Sequence, residues 1–172
     1  MTNSIKIKKK INKFNKKIRV SGDKSLSIRW VLFSSLANGK STAKNLLLSE
    51  DVLAAFNAIK KLGIKSKINT KECVIYGKGI DGYKYNNKLI LDAKNSGTLG
   101  RLILGLLINT PKIIKLIGDK SLSKRDFKRI AVPLNKFGAK IKLSKQNNLP
   151  LTILGSQNLK PIKYKENRGS AQ

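Results

Sequence analysis

Four short segments of the 172-residue sequence are rich in small and basic residues where a predicted strand gives way to a predicted helix. They are VSGDKSLSIR (20–29), KNSGT (94–98), SKRDFKR (123–129) and RGSAQ (168–172). Backbone N–H groups at a helix N-terminus attract anions, and Lys, Arg and Ser side chains add further hydrogen-bond donors. Because the segments occupy equivalent points of repeated units, we expect them to lie on one side of the sheets and to bind anions together.

The distribution of arginine supports this interpretation. The chain has 31 Lys and only 6 Arg, yet Arg29, Arg101 and Arg125 all fall in or beside these loops. Only arginine offers a planar fork that can bind a carboxylate or a phosphate through two parallel hydrogen bonds. Gly97, in the second loop, would allow a ligand to approach the backbone closely.

The net charge of +28 is a different signal and favours a nucleic-acid-binding protein. Two observations weigh against that class. Lys, Asn and Ile together fill 67 positions, which indicates a compositional bias, and the lysines are spread over every predicted element. The Lys-rich stretch 6–17 is the exception. Nucleic-acid binding therefore stays as the alternative, and we expect no nucleic-acid partner.

Several kinds of chemistry are excluded by residue counts. The sequence contains one cysteine, Cys73, and no histidine. An internal disulfide, a cysteine-based metal cluster, a zinc site and a His-based catalytic triad are therefore excluded. The chain has no apolar run long enough to span a bilayer and no signal-peptide pattern, so we expect no membrane partner and a cytoplasmic location.

The order of predicted elements indicates an α/β fold built from repeated βαβαββ units. The first unit has strands at 18–21, 42–47, 64–68 and 73–77, with helices at 25–38 and 50–62, the second capped by Ser49. The second unit has strands at 89–93, 112–118, 139–144 and 149–155, with helices at 98–109 and 125–137. Glycines repeat between the units, since Gly63 matches Gly138 and Gly77 matches Gly155.

A third unit is predicted to begin near the end of the chain. PIKY (161–164) is typical of its first strand, and GSAQ (169–172) is typical of the loop that opens its helix. We therefore expect residues 1–15 to be a Lys-rich N-terminal segment and residues 16–172 to be an incomplete lobe of two units plus the start of a third. A strand without its helix would leave an apolar face uncovered, which suggests a fragment of a longer protein.

The hexapeptide GDKSLS occurs at 22–27 and again at 118–123, each time followed by an arginine at the same offset. The two copies do not align in the internal repeat. The first follows the opening strand of its unit, as KNSGT does in the second unit, whereas the second copy follows a later strand. We therefore predict two different roles rather than a duplicated site.

The combination of segments resembles the N-terminal part of the 5-enolpyruvylshikimate-3-phosphate synthases, or 3-phosphoshikimate 1-carboxyvinyltransferases. The resemblance is carried by SGDKSLSIR, LLLSEDVLAAFNAIKKLG, LDAKNSGTLGRLILGLL, LIGDKSLSKRDFKRIAVPLNKFGAKI, LPLTILG and GSAQ. It implies a two-lobed protein whose lobes each contain three βαβαββ units. It also implies transfer of the enolpyruvyl group of phosphoenolpyruvate to the 5-hydroxyl of shikimate 3-phosphate, with release of phosphate and without a metal or organic cofactor.

The resemblance also implies roles for individual residues. Lys24, Ser25 and Arg29 would bind shikimate 3-phosphate, and Lys24 would also reach phosphoenolpyruvate. Gly97 and Arg125 would bind phosphoenolpyruvate. The set is completed by Ser170 and Gln172, which would contact shikimate 3-phosphate, and by Arg101 as a possible support for the loop. The family's acid–base groups lie in the other lobe, so we expect no catalytic residue in this chain and no turnover by it alone.

The sequence departs from the family pattern at three positions, where Ser21, Ile28 and Asp126 replace residues that are usually Pro, His and Pro. Asp126 is a candidate to pair with Arg125 and to weaken its hold on an anion. A related enolpyruvyl transferase that acts on a UDP-sugar shares the fold and stays as an alternative. That enzyme usually carries a reactive loop cysteine, whereas Cys73 lies in a predicted strand.

Overall fold

The computed structural model describes residues 4–6, 8, 10 and 13–166. The helices are α1 (Lys24–Leu36), α2 (Glu50–Lys61), α3 (Gly97–Leu106) and α4 (Lys128–Phe137). The strands are β1 (Asn38–Ala43), β2 (Lys65–Ile68), β3 (Cys73–Lys78), β4 (Leu89–Asp92), β5 (Ile114–Ile117), β6 (Lys140–Lys142) and β7 (Leu151–Leu154). A one-turn 3₁₀ helix spans Leu122–Lys124. The predicted α/β class is confirmed.

The strands form two sheets with a shared pattern. The second sheet has the order β4-β5-β7-β6, in which β4 and β5 are parallel and the other pairs are antiparallel. The first sheet has the order β1-β3-β2 with antiparallel pairs throughout. The first sheet thus reproduces the last three strands of the second, as the internal sequence repeat predicts.

The predicted opening strand at 18–21 is wrong. Ile18 and Val20 are 74% and 68% exposed, so the apolar alternation there does not reflect burial. A strand needs a hydrogen-bonded neighbour, and the only bond that the described residues provide to this segment runs from Asn45 Nδ2 to the Val20 carbonyl at 3.4 Å. The segment therefore enters α1 as extended chain without a place in the sheet.

The predicted strand at 42–47 is also wrong in its position. The observed strand β1 begins four residues earlier and is mostly exposed, so apolar content could not reveal it. Its position is set by its pairing with β3, which runs from Asn38 opposite Lys78 to Ala43 opposite Cys73. Asn45 then adopts a left-handed conformation (φ 59°), which ends the extended run.

The four helices bury one continuous apolar core. Helix α2 contacts β2 of the first sheet and β4 of the second, while α1 contacts both β3 and α3. Residues from both units therefore join a single cluster, which includes Phe56, Ile75, Ile103, Phe127 and Ile153. This shared core fixes the first unit relative to the second, and with it the N-termini of α1 and α3.

The glycines that end α2 and α4 act as predicted, whereas the predicted helices at 25–38, 98–109 and 125–137 are two to three residues too long at one end. Gly63 and Gly138 follow α2 and α4 with positive φ values of 85° and 126°, as helix-terminating glycines do. Ser49 occupies the N-cap position of α2, but its side chain makes no capping bond and its buried Oγ has no partner among the described residues. Ser49 therefore occupies the predicted capping position but does not make the capping hydrogen bond.

The strand predicted at 161–164 is wrong as well. This segment has no regular secondary structure and follows α4 instead, since Lys160 N–H donates to the Phe137 carbonyl at 2.8 Å. The Tyr164 ring lies 5.6 Å from Lys136 Nζ, and Glu166 lies 3.9 Å from Arg129. The predicted loop 169–172 lies outside the described residues.

The repeated glycines Gly77 and Gly155 occupy equivalent tight positions at the ends of β3 and β7. A Cβ atom on Gly77 would overlap the carbonyl oxygens of Ser34 and Ala37, at the end of α1. A Cβ atom on Gly155 would overlap the backbone at Ile108 and Thr110, just after α3. In both units a glycine therefore allows the last strand to approach the end of the first helix.

We predict that Gly77→Ala lowers the free energy of unfolding by about 3 kcal/mol, because the new methyl group must displace backbone atoms. The matched control is Gly105→Ala in α3, where an added Cβ meets nothing within 4 Å. This control should be neutral or should stabilise by about 0.5–1 kcal/mol, because alanine favours helix. Urea denaturation measures both, and equal stabilities of the two variants would contradict the close approach at Gly77.

Candidate anion-binding site

The N-terminus of α1 presents the first group of predicted site residues. Asp23 Oδ1 accepts the Leu26 N–H at 2.7 Å, which caps the helix and fixes its first turn. Lys24 and Ser25 occupy the first two helical positions, and Arg29 lies one turn further along. The backbone N–H groups at this end have no intrahelical partners, so the end is partly positive.

The N-terminus of α3 presents the second group. Ser96 Oγ accepts the Leu99 N–H at 3.2 Å, and Gly97 begins the helix. Two of the three guanidinium groups of the site, those of Arg101 and Arg125, lie against Gly97. An added Cβ there would lie 2.8 Å from an Nη of Arg101 and 3.0 Å from an Nη of Arg125. A glycine at this position therefore leaves room for these two cations at the start of the helix, while the predicted close approach of a ligand to Gly97 stays a prediction.

Arg125 follows the short 3₁₀ helix that begins inside the second GDKSLS. This helix spans Leu122–Lys124, and the backbone of Arg125 is extended (φ −83°, ψ 145°). In the first copy the corresponding aspartate hydrogen bond starts the 13-residue helix α1. Two identical hexapeptides thus begin with the same local hydrogen bond and continue differently, and their different roles in the site stay a prediction.

All the predicted site residues that lie in the described part of the chain line one cavity. Its volume is about 340 Å³, and its lining is Lys24, Ser25, Arg29, Asp51, Asn95, Gly97, Thr98, Arg101, Leu102 and Arg125. Segments more than 70 residues apart in the sequence therefore meet at this point. Ser170 and Gln172 lie outside the described residues.

A second, larger groove of about 690 Å³ runs along α2 and β2. Its lining includes Lys60, Lys65 and Lys67 but no arginine and no helix N-terminus. It also contains none of the predicted site residues. The groove therefore lacks the features that make the smaller cavity suited to a phosphate or carboxylate.

Four of the ten residues around the smaller cavity are cationic and one is anionic. The consequence is visible at Arg101, whose pKa is lowered by partial burial and by repulsion from the nearby Arg125 and Arg129. Arg101 is held by its own contacts, with its guanidinium 5.2 Å from the centre of the Phe127 ring and one Nη donating to the Asp126 carbonyl at 3.2 Å. These contacts support the predicted role of Arg101 as a brace for the site.

Two polar residues of the cavity were missed by the sequence analysis. Asp51 was interpreted only as an acidic residue in the first turn of α2, yet its Oδ2 lies 2.9 Å from Lys24 Nζ. Asn95 was part of the KNSGT loop but was given no role, yet its Oδ1 accepts a hydrogen bond from Arg125 at 3.4 Å. No spacing rule in the sequence links either residue to its partner, because both contacts depend on tertiary packing.

The expected pairing of Asp126 with Arg125 is not found. Asp126 Oδ1 accepts the backbone N–H of Lys128 at 2.6 Å, at the start of α4. The ion pairs among the described residues do not include one between Arg125 and Asp126. The guanidinium of Arg125 therefore remains directed to the cavity and to Asn95.

Cys73 lies in β3, where it is only 2% exposed and where its thiol is 3.6 Å from the Asn69 carbonyl. A buried strand position does not suit a reactive loop cysteine.

Among the described residues, no helix is long and apolar enough to cross a membrane.

Comparison with known proteins gives a consistent result. The sequence profile of the family described as EPSP synthase (3-phosphoshikimate 1-carboxyvinyltransferase) matches residues 8–172. A 3-phosphoshikimate 1-carboxyvinyltransferase of Streptococcus suis is 41% identical over 169 residues, covering 98% of this chain and 39% of that protein. One from a Sulfurihydrogenibium species is 46% identical over 167 residues, covering 95% of this chain and 38% of that protein. The chain thus spans about two fifths of these curated relatives.

Solved structures agree with the sequence comparisons. An EPSP synthase from Acinetobacter baumannii superposes with a TM-score of 0.84 at 36% sequence identity. The superposition covers 90% of this chain and 35% of that one.

We predict that Gly97→Ala weakens the binding of inorganic phosphate about tenfold, because the new methyl group displaces the two guanidinium groups and breaks a charge-assisted hydrogen bond. The fold should be preserved, since the displaced atoms are the ends of flexible side chains. Gly105→Ala in the same helix is the control. Calorimetric titration with phosphate and thermal unfolding test this prediction, which fails if Gly97→Ala binds phosphate as tightly as the control.

Proposed function

The chain belongs to the EPSP synthase family, and on this premise we propose that it forms the part of a 3-phosphoshikimate 1-carboxyvinyltransferase that holds the anionic groups of both substrates. The reaction transfers the enolpyruvyl group from phosphoenolpyruvate to the 5-hydroxyl of shikimate 3-phosphate and releases phosphate. The observation that carries the proposal is the convergence of Lys24, Arg29, Arg101 and Arg125 with two helix N-termini around one cavity.

This arrangement suits two substrates that each carry a phosphate and a carboxylate. Bringing two anions together costs Coulomb energy, which a bed of cations and helix N-termini can offset. We assign Lys24, Ser25 and Arg29 to shikimate 3-phosphate, and Gly97 and Arg125 to phosphoenolpyruvate. Lys24 lies at the boundary between the two groups and would contact both ligands.

Lys24 can bind a substrate without giving up its contact with Asp51. Its Nζ lies 2.9 Å from Asp51 Oδ2, and the side chain of Asp51 is 15% exposed while that of Lys24 is 52% exposed. The Lys24 ammonium has three N–H donors, so it can keep one bond to Asp51 and direct the others to a phosphate. Asp51 thus holds the ammonium at the edge of the cavity without using up its hydrogen-bonding capacity.

We also propose that Ser170 and Gln172 contact shikimate 3-phosphate. Both residues lie outside the described part of the chain, so this assignment rests on the family resemblance.

The described residues offer a means of binding but no free acid or base. Asp51 is the only carboxylate in the lining of the cavity, and it is engaged by Lys24. Proton transfer to the enolpyruvyl methylene and from the hydroxyl requires other groups. We therefore propose that the residues that carry out proton transfer are not in this chain.

We predict that Lys24→Ala weakens binding of both shikimate 3-phosphate and phosphoenolpyruvate to the 172-residue chain by about tenfold or more, and that Arg125→Ala weakens binding of phosphoenolpyruvate by a similar factor. Each substitution removes a charge-assisted hydrogen bond worth about 1.5–3 kcal/mol. Lys65→Ala, in the larger groove, removes the same charge elsewhere and should leave both affinities unchanged. Isothermal titration calorimetry measures these affinities, and equal losses in all three variants would indicate unspecific attraction to a basic protein.

We also predict that the 172-residue chain releases no phosphate from phosphoenolpyruvate above background in the presence of shikimate 3-phosphate. A continuous phosphate-release assay with the wild-type chain, and with Lys24→Ala as the blank, measures this. If the wild-type chain releases phosphate and Lys24→Ala does not, the chain contains its own acid and base. That result would refute the proposal that the residues for proton transfer are not in this chain.

A further inference from the structure

We propose that Asp119, in the second GDKSLS, is a positioning residue that orients the Asn95 amide and thereby holds Arg125 in the anion-binding cavity. The inference deepens the proposed function and rests on it, since it concerns how Arg125 is prepared for phosphoenolpyruvate. The sequence comparison of the two hexapeptides gave Asp119 no role.

The geometry places Asp119 between a helix and the site. One oxygen, Oδ1, accepts the Leu122 N–H at 2.7 Å and so holds the turn that leads into the 3₁₀ helix. The other, Oδ2, accepts a hydrogen bond from Asn95 Nδ2 at 2.7 Å. Asn95 Oδ1 in turn accepts from Arg125 at 3.4 Å. A continuous path of two hydrogen bonds therefore leads from Asp119 to the guanidinium.

The backbone supports the same alignment. The Asp119 N–H donates to the Lys94 carbonyl at 2.9 Å, so the two loops are joined beside the side-chain contact. The Ser96 N–H donates to the Ala93 carbonyl at 2.8 Å, which closes the turn that carries Asn95. Asn95 therefore has little freedom except rotation of its side chain.

The direction of each hydrogen bond is fixed by chemistry. An ionised carboxylate can only accept, and a guanidinium can only donate. An asparagine amide has one accepting end and one donating end, so only one orientation satisfies both neighbours at once. Asp119 remains ionised at neutral pH, because hydrogen bonds from the Leu122 N–H and from Asn95 lower its pKa. The carboxylate thus selects the amide orientation in which Oδ1 faces Arg125.

The first hexapeptide shows that capping alone does not require this arrangement. Asp23 Oδ1 accepts the Leu26 N–H at 2.7 Å, which is the same cap at the same position of the motif. Among the described residues, no hydrogen bond to the second oxygen of Asp23 is found. The motif therefore supplies the cap in both copies, and in the second copy the remaining oxygen is used for the site.

A purely electrostatic effect of Asp119 would have the opposite sign. A negative charge near Arg125 opposes the binding of an anion, so neutralising it would tighten binding if charge were its main contribution. A positioning role predicts weaker binding on neutralisation. The sign of the change therefore distinguishes the two.

Two substitutions separate positioning from capping. Serine and asparagine also carry a side-chain oxygen that can accept the Leu122 N–H, so Asp119→Ser and Asp119→Asn should both preserve the turn that leads into the 3₁₀ helix. The serine introduced by the first would have no second oxygen for Asn95. The asparagine introduced by the second would present an NH₂ group there, and Asn95 could pair with it only by turning its own NH₂ toward Arg125. Asp119→Asn should therefore weaken anion binding at least as much as Asp119→Ser. If Asp119 acted only by holding the turn, both variants would bind anions as tightly as the wild type.

The matched control is a variant that removes a similar hydrogen bond away from the cavity. Asp81 Oδ1 accepts from Asn109 Nδ2 at 2.8 Å, in the seam between the two units. Asp81→Ser removes an Asp–Asn hydrogen bond of the same kind and a charge of the same sign. It should leave anion binding unchanged.

The experiment measures phosphoenolpyruvate affinity by calorimetry and the Asn95 side-chain NH₂ resonances by NMR, on the 172-residue chain. We expect Asp119→Ser to weaken affinity about fivefold and Asp119→Asn by at least as much. In the ligand-free protein, both variants should shift the Asn95 NH₂ resonances and speed their exchange with water. In an Asn95→Ala background, Asp119→Ser should have no further effect on affinity.

Wild-type affinity or tighter binding in Asp119→Ser and Asp119→Asn, with unchanged Asn95 resonances, would overturn the inference. A further loss caused by Asp119→Ser in the Asn95→Ala background would also overturn it. A wild-type chain that binds no phosphoenolpyruvate, but whose Asn95 resonances respond to Asp119→Ser as expected, would overturn the proposed function and support the positioning of Asn95 by Asp119.

Discussion

Repulsion among like charges is the constraint on which this structure depends. Lys24, Arg29, Arg101 and Arg125 surround a cavity of about 340 Å³, so the site holds several positive charges close together. Partial burial lowers the pKa of Arg101, and the neighbouring Arg125 and Arg129 lower it further. Such a cluster is useful only if its members stay in place before an anion arrives.

Each of three cations is held by a different kind of partner. Asp51 pairs with Lys24, the Phe127 ring and the Asp126 carbonyl hold Arg101, and Asn95 accepts from Arg125. Only the first of these partners carries a full negative charge. Neutral partners keep a cation in position without cancelling its attraction for a ligand, which is what an anion-binding site requires.

The rest of the fold serves to bring these groups together. The site combines the N-termini of α1 and α3, which belong to different units, so it depends on the core that the two units share. Gly77 and Gly155 allow the sheets to pack closely against the ends of those same helices. The positions of the N-termini are thus set by packing at the opposite ends of α1 and α3.

The sequence predicts the parts of this structure that local chemistry determines. The helix termini at Gly63 and Gly138, the strands β2 to β7 and the grouping of the site loops follow from glycine placement, apolar periodicity and capping residues. The sequence fails where tertiary contacts decide. Strand β1 is polar and is positioned by its pairing with β3, while Ile18 and Val20 are apolar but exposed. The roles of Asp51 and Asn95 depend on contacts between distant elements and have no local signal.

The most direct test of this account is a crystal structure of the chain with bound phosphoenolpyruvate. We expect the phosphate and the carboxylate to lie between the N-termini of α1 and α3, within hydrogen-bond distance of Lys24, the Gly97 backbone and Arg125. A ligand bound in the lysine-lined groove along α2 and β2, with the arginine-lined cavity left empty, would contradict it.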